Sequence, residues 1–243
     1  MKVVNVQGIV IKTIEYKENS KILNIFTPDY GIIGVISKGC KNFKSPLRSI
    51  SQNLAYASFN ISYKENGLST LISGDIINYF TKIKSDIISL SYLTYLTELA
   101  SLVYKESNKK EIYDLLIESL NKIESGLNPK IISNILEFKY LEYLGIDINV
   151  DNCRVCGTNK IITFSFKLGG FVCDECRNDE AIIDEKIIKM LRMYKYVDIS
   201  KISKIDISES VVKKIDMILD EYYNEYSGIY IKSKDFIKSL EKY

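Results

Sequence analysis

Residues 153–176 read CRVCGTNKIITFSFKLGGFVCDEC and carry four of the five cysteines of a chain that has no histidine. Cys153, Cys156, Cys173 and Cys176 form C-x2-C-x16-C-x2-C, a spacing that marks a four-thiolate zinc site. Each short spacer lets two thiolates converge on one tetrahedral ion about 2.3 Å away, provided the segment between the pairs doubles back. That segment has the composition to do so. β-Branched and aromatic residues flank Leu168-Gly169-Gly170, where the glycines permit a tight reversal, and Gly157 frees the turn after the first pair. Three readings fit the pattern: a closed structural zinc site, a Cys-x-x-Cys redox pair, and a site without metal whose thiols pack as small hydrophobes. Four thiolates fill the tetrahedron and leave no position for water, whereas the redox motif normally opens a helix in a βαβ setting that is absent here. The expected cofactor is one structural Zn2+, which in small zinc peptides supplies on the order of 10 kcal/mol of folding energy. Cys40 stands apart between Gly39 and Lys41 and reads as a half-buried small residue at a strand end, outside the metal set.

At 243 residues with 46% apolar content, the chain is long enough for one large domain or two to three small ones with real cores, which excludes a disordered reading. The N-terminal MKVVNVQGIVIK has no small-residue cleavage site after it. No run of about 18 apolar residues is evident, so no membrane partner and a cytoplasmic location are expected. In that reducing compartment structural disulfides are rare, which again favours metal ligation. Net charge is only +2 but unevenly placed: residues 1–80 hold nine Lys/Arg against five acids, the remainder 24 against 26.

The first 80 residues read as strands. VVNVQGIVIKTI, KILNIFT, GIIGVIS, LAYASFNISY and STLISGDI are β-rich runs broken by turn residues, with TPDYG (27–31) and KENG (64–67) as hairpin connections. Five strands in about 75 residues is the size of an OB-fold barrel, with Phe26, Tyr56, Phe59 and Tyr63 as its core or wall. From Ser85 the period changes, and Leu90, Leu93, Leu96, Leu99 and Leu102 mark a core-facing helix. Further helices are expected at about 110–124, 130–144, 183–196, 208–226 and 234–241. Pro129 suits a first helical turn, Gly145 a left-handed cap, and Asp206 with Glu209 a capping box.

Between Asp29 and Glu65 there is no acid, while SKGCKNFKSPLRS places Lys38, Lys41, Lys44 and Arg48 three and four apart with Phe43 among them. Cations that track phosphates beside an aromatic on which a base can stack are the usual apparatus for single-stranded nucleic acid on such a barrel; a solvated surface loop is the other reading. There is no phosphate loop, dinucleotide fingerprint or nucleophile elbow, and a Cys-His nucleophile is excluded without histidine. Acid neighbours such as Asp174 and Glu175 or Asp220 and Glu221 do not face one another on a helix. The chain reads as a non-enzyme.

A basic barrel followed by helices with a four-cysteine ribbon set into them resembles the RecO family of recombination mediators. The stretches that carry the resemblance are SKGCKNFKSPLR, the cysteine segment, and GIYIKSKDFIKSL near the C-terminus, and it covers essentially the whole chain. It implies an α+β multidomain protein: an OB-fold at 1–80, a helical domain at 81–150 and 180–243, and an inserted four-cysteine zinc ribbon at 151–179. It also implies binding of single- and double-stranded DNA, annealing of complementary strands, a nucleoid-associated location, and work with RecR and the C-terminal tail of single-stranded-DNA-binding protein to load recombinase. The alternative is a zinc-ribbon scaffold that binds proteins and touches nucleic acid incidentally; the Lys38–Arg48 segment separates the two.

Overall fold

The structure, a computed structural model, describes residues 2–240. By internal packing the chain divides into two compact units, one running to Ile117 and resumed from Ser233, the other spanning Glu118–Lys232.

In the first unit, β1 (Lys2–Tyr16), β2 (Ser20–Thr27), β3 (Gly31–Ser37), β4 (Tyr56–Tyr63) and β5 (Ser69–Asn78) close a barrel in the order β1-β2-β3-β5-β4. This is the OB-like arrangement the strand count suggests. The long first strand serves both halves: its residues 2–9 pair with β4 and 9–16 with β2. Where it changes partner, the backbone runs so close to β2 that a Cβ on Gly8 would lie 2.6 Å from Ile25 Cγ2 and 2.7 Å from the Phe26 carbonyl. A bulge between Val10 and Lys12 follows, adding the twist that curls the sheet. Closure on the far side is brief, with Val35 opposite Ser69 and Ile36 opposite Thr70 in parallel. Alternate residues point inward, among them Val6, Leu23, Ile25, Phe59 and Leu71. Phe26 and Tyr56 are also buried and Tyr63 packs at the rim, as expected of core or wall.

The helices that follow begin earlier than the periodicity suggests. A single turn, α1 (Thr81–Ser85), precedes α2 (Ile87–Ser107); so short a helix leaves no periodic signal. Asp86 caps α2, its carboxylate accepting from the Ser89 N–H at 2.8 Å and the Ser89 hydroxyl at 2.7 Å. By length and composition α2 is long and apolar enough to cross a membrane, but it is not an unbroken apolar run. Ten of its residues between Ser91 and Val103 are buried in protein. The Phe26 ring packs against Tyr104 of α2 at 4.9 Å and edge-on against Tyr113 of α3 (Glu111–Glu124) at 5.3 Å. The C-terminal α7 (Lys232–Leu240) lies where a helix is expected, and Glu241, which that expectation includes, is outside the described residues.

The second unit is built on α4 (Pro129–Tyr143), against which α5 (Glu185–Tyr196) and α6 (Glu209–Tyr226) pack. Asn128 caps α4 through Lys130 and Ile131, Pro129 occupies its first turn, and Gly145 leaves it at φ +72°. Lys130 and Asp216 tie α4 to α6 across 3.1 Å. The capping box at Asp206 does not form. Ser208 stands at the N-cap without a capping bond from its side chain, so Asp206 lies before the helix begins.

Between α4 and α5 the chain makes a hairpin, β6 (Thr163–Ser165) and β7 (Gly170–Val172). Phe164 lies between Phe166 at 5.3 Å, Phe171 at 6.1 Å and Tyr222 of α6 at 5.9 Å. The Tyr222 hydroxyl donates to the Asp147 carbonyl at 3.1 Å and the Tyr226 hydroxyl to the Phe166 carbonyl at 2.8 Å. On the other flank Arg192 donates to the carbonyls of Val150 at 2.8 Å and Asp151 at 2.9 Å. The Asp151 carboxylate in turn accepts from Lys195 at 3.0 Å and Tyr196 at 2.5 Å. The hairpin is therefore held by aromatic packing on α6, and the segment that leads into the ribbon by charged hydrogen bonds from α5.

Two expectations test these constraints. Gly8→Ala should cost about 1–3 kcal/mol by forcing β1 away from β2, seen as a lower thermal midpoint; an unchanged midpoint would contradict the close approach. Phe164→Ala should cost about 3 kcal/mol, with hydrogen exchange accelerating at amides of 153–176 while barrel amides keep their protection.

Candidate functional site

The two cysteine pairs meet at the base of the hairpin. All four sulfurs lie within 4.8 Å of one another, and Cys156 Sγ stands 3.6 Å from Cys173 Sγ. A tetrahedral site with metal–sulfur bonds of about 2.3 Å has edges of about 3.8 Å, so the cluster has the dimensions of such a site. Each pair sits on a tight turn. Gly157, at φ +74°, donates to the Cys153 carbonyl at 2.9 Å, while Cys176 and Arg177 donate to the Cys173 carbonyl at 3.2 and 3.0 Å. Cys153 and Cys173 are buried with Val172 in a very small core that Ile161 and Leu168 complete, while Cys156 faces outward.

The electrostatics of four thiols this close are those of a site for a soft cation. Burial pushes the Cys153 thiol up, but the N–H groups of Cys156, Cys173 and Val155 aimed at its sulfur bring it down to about 6. Cys176 is pushed the other way, to about 12, by its hydrogen bonds to Cys173 and Cys156 and by burial. One ionised sulfur thus suppresses ionisation of a neighbour, and only a cation among them would let all four be thiolates. Cys40 is not part of this cluster; it is fully buried beyond the end of β3, deeper than expected.

The basic segment occupies residues 38–55, a chain of turns in which Asn42 donates to Gly39, Ser45 to Asn42 and Arg48 to Ser45 at 3.0–3.2 Å. It is fixed from below. Ile50 is buried in the barrel core with Leu47 packed beside it, and the Ser37 and Ser51 hydroxyls bond at 2.8 Å. At its start, Gly39 donates to Ser20 Oγ at 3.3 Å and the Lys41 N–H to the Asn19 carbonyl at 3.2 Å. Lys38, Lys41, Lys44 and Arg48 are all exposed on this rigid base. Phe43 is 85% exposed, and the Arg48 guanidinium sits 5.2 Å from its ring centroid, within cation–π range. Ser45, Pro46, Ser49 and Gln52 line an open depression beside Arg48.

One of the four cations is not free. Lys41 Nζ lies 2.7 Å from Glu15 Oε2, and Lys21 Nζ lies 4.0 Å from the same carboxylate. The hydrogen bond from Lys41 holds the Glu15 carboxyl below its ordinary range. Sequence reasoning missed both Glu15 and Lys21, because an acid-free stretch says nothing about acids folded against it. The signal was present in the β1–β2 hairpin, whose register sets Glu15 opposite Lys21.

The family model described as Recombination protein O N terminal matches residues 1–80, and that described as Recombination protein O C terminal matches 84–235. Among relatives named DNA repair protein RecO, that of Listeria innocua serovar 6a is 32% identical over 242 residues, covering 98% of this chain and 94% of its own. That of Listeria monocytogenes serotype 4a is 33% identical over 242 residues, covering 98% and 94%. The Bacillus pumilus protein is 33% identical over 240 residues, covering 97% and 93%. With both halves matched by family models and such relatives aligned along nearly its whole length, this chain belongs to the RecO family of DNA repair proteins.

Proposed function

We propose that this chain is a non-enzymatic recombination mediator that binds single- and double-stranded DNA and anneals complementary strands, in the bacterial cytoplasm at the nucleoid. The observation that carries the reading is the exposed cationic turn with Phe43, anchored through Ile50 in the core of an OB-like barrel. In this reading residues 1–80 are the DNA-binding domain, and Lys38, Lys41, Lys44 and Arg48 contact phosphates without regard to sequence while Phe43 offers a ring face to an unpaired base. Shielding phosphates lowers the repulsion between two strands held near one another, so pairing accelerates without nucleotide hydrolysis. Family membership further supports RecR and the acidic C-terminal tail of single-stranded-DNA-binding protein as partners in loading recombinase onto coated strands.

For the ribbon we propose Zn2+ held by Cys153, Cys156, Cys173 and Cys176. Its dimensions and its four-sulfur donor set support a dication there. When bound, the ion would supply folding energy and no chemistry, because four thiolates leave it no open position.

Replacing Cys173 and Cys176 by serine should abolish stoichiometric zinc in metal analysis of reduced protein and loosen the ribbon while the barrel stays folded; full zinc retention would refute the assignment. Lys44→Ala with Arg48→Ala should weaken binding to unrelated single strands about equally and slow annealing. It should also flatten the dependence of log affinity on log salt by about 1.4, at about 0.7 per lost contact. Binding and annealing like the parent would move the DNA surface elsewhere and favour the protein-scaffold reading.

A further inference from the structure

Glu15 is the only carboxylate of the described residues that reaches the cationic turn. We infer that Glu15 is an internal counter-charge for DNA binding, which occupies Lys41 in the free protein and must be displaced by a phosphate before Lys41 can contribute. The inference rests on the reading of the turn as a phosphate-binding surface.

Both partners are held in place by the fold. Glu15 lies in the β1–β2 ladder directly opposite Lys21, whose side chain is mostly buried. Lys41 is brought to it by its own backbone, since its N–H donates to the Asn19 carbonyl in the turn that joins those strands, and Gly39 is tied to Ser20 nearby. The pair therefore results from how the basic turn docks on the hairpin, and two flexible side chains need not find each other across solvent. Lys38, Lys44 and Arg48 form no ion pair among the described residues, so Lys41 alone of the four is neutralised.

The physical consequence is a reduced count of phosphate contacts. An exposed ion pair is weak, so the dense negative charge of a nucleic-acid strand can displace Glu15 reversibly. Lys41 then trades one anion for another, and the fixed carboxylate still repels the phosphate that replaces it. A carboxylate placed there keeps the strand less tightly held than four free cations would, which suits a protein that must release a duplex once it has paired.

The test is fluorescence anisotropy of a labelled mixed-sequence single strand against the full-length protein at several salt concentrations. Glu15→Gln keeps the shape and removes the charge. It should tighten binding about fivefold at 0.1 M salt and steepen the log–log salt slope by about 0.7, the increment of one added contact on a single strand. Glu15→Asp, which keeps the charge, should return the slope toward that of the parent. In a Lys41→Ala background, Glu15→Gln should leave the slope unmoved, because the cation it would release is gone. If Glu15→Gln binds with the parent's affinity and slope while Arg48→Ala still weakens binding, the counter-charge is refuted and the turn remains the DNA surface. If neither substitution changes binding, the turn is not the DNA surface and both ideas fall.

Discussion

Four sulfurs brought within 4.8 Å are the constraint on which the second unit depends. The hairpin between them has two strands of three residues each and a core of little more than Cys153, Val172 and Cys173, too little buried surface to fold alone. The rest of its support comes from Asn149, which exchanges backbone hydrogen bonds with Gly169 and Phe171, and from the helices around it. Tyr222 and Tyr226 reach it from α6 and Arg192 from α5, so the placement of the ribbon and the packing of both helices are one problem. Gly169 and Gly170 are part of the same solution. A Cβ on Gly169 would meet the Tyr222 hydroxyl at 2.8 Å, and one on Gly170 would meet Asn149 Cβ at 2.9 Å. The tight reversal therefore also lets the hairpin lie flat against its neighbours.

The first unit is organised by a different economy. Its long first strand is shared by both halves of the sheet, so the barrel closes with five strands and the β3–β4 connection is left free to do something else. That connection is neither a strand nor a free loop. Ile50 inserts into the core that the strands enclose, and Leu54 and Ala55 exchange backbone hydrogen bonds with Val10 at 2.8 and 2.9 Å. Apolar residues within a polar segment thus fix a run of cations to a rigid base, and the entropy of ordering them is met in folding rather than on binding.

Most of this was legible in the residues. The five strands, the ribbon hairpin and all but one of the α-helices lie where alternation, periodicity and turn residues place them, because in each case local propensity and tertiary packing agree. The exceptions are informative. α1 is a single turn and has no period to detect. Asp206 has the right neighbour for a capping box but the helix starts at Glu209, since a cap is decided by where packing of Val211 and Val212 begins and not by spacing alone. The cysteine set was readable because metal geometry demands short, fixed spacings. Glu15 was not, because its meeting with Lys41 is created by how a turn folds over a hairpin.

The same contrast explains why the phosphate-binding surface is assigned to the turn and not to the ribbon, although the ribbon also carries arginines. Arg154 is paired with Asp147 at 2.7 Å and Arg177 with Asp174 at 2.8 Å, each with a carboxylate only a few residues away in sequence, so the charges of these two cancel locally. In the turn, local acids are absent and the one neutralising carboxylate comes from another strand. In the proposed reading, a surface whose charge is left uncompensated by its own segment, then partly compensated at a single position by the fold, would attract a polyanion while holding a reserve against binding it irreversibly. Exposed Phe43, carrying Arg48 near its ring, adds the component that phosphate contacts cannot supply, a π-face available to bases only while they are unpaired. In the proposed annealing role, pairing would withdraw that π-face contact from the bases, so the stacking part of the hold would apply to the unpaired strands and not to their duplex.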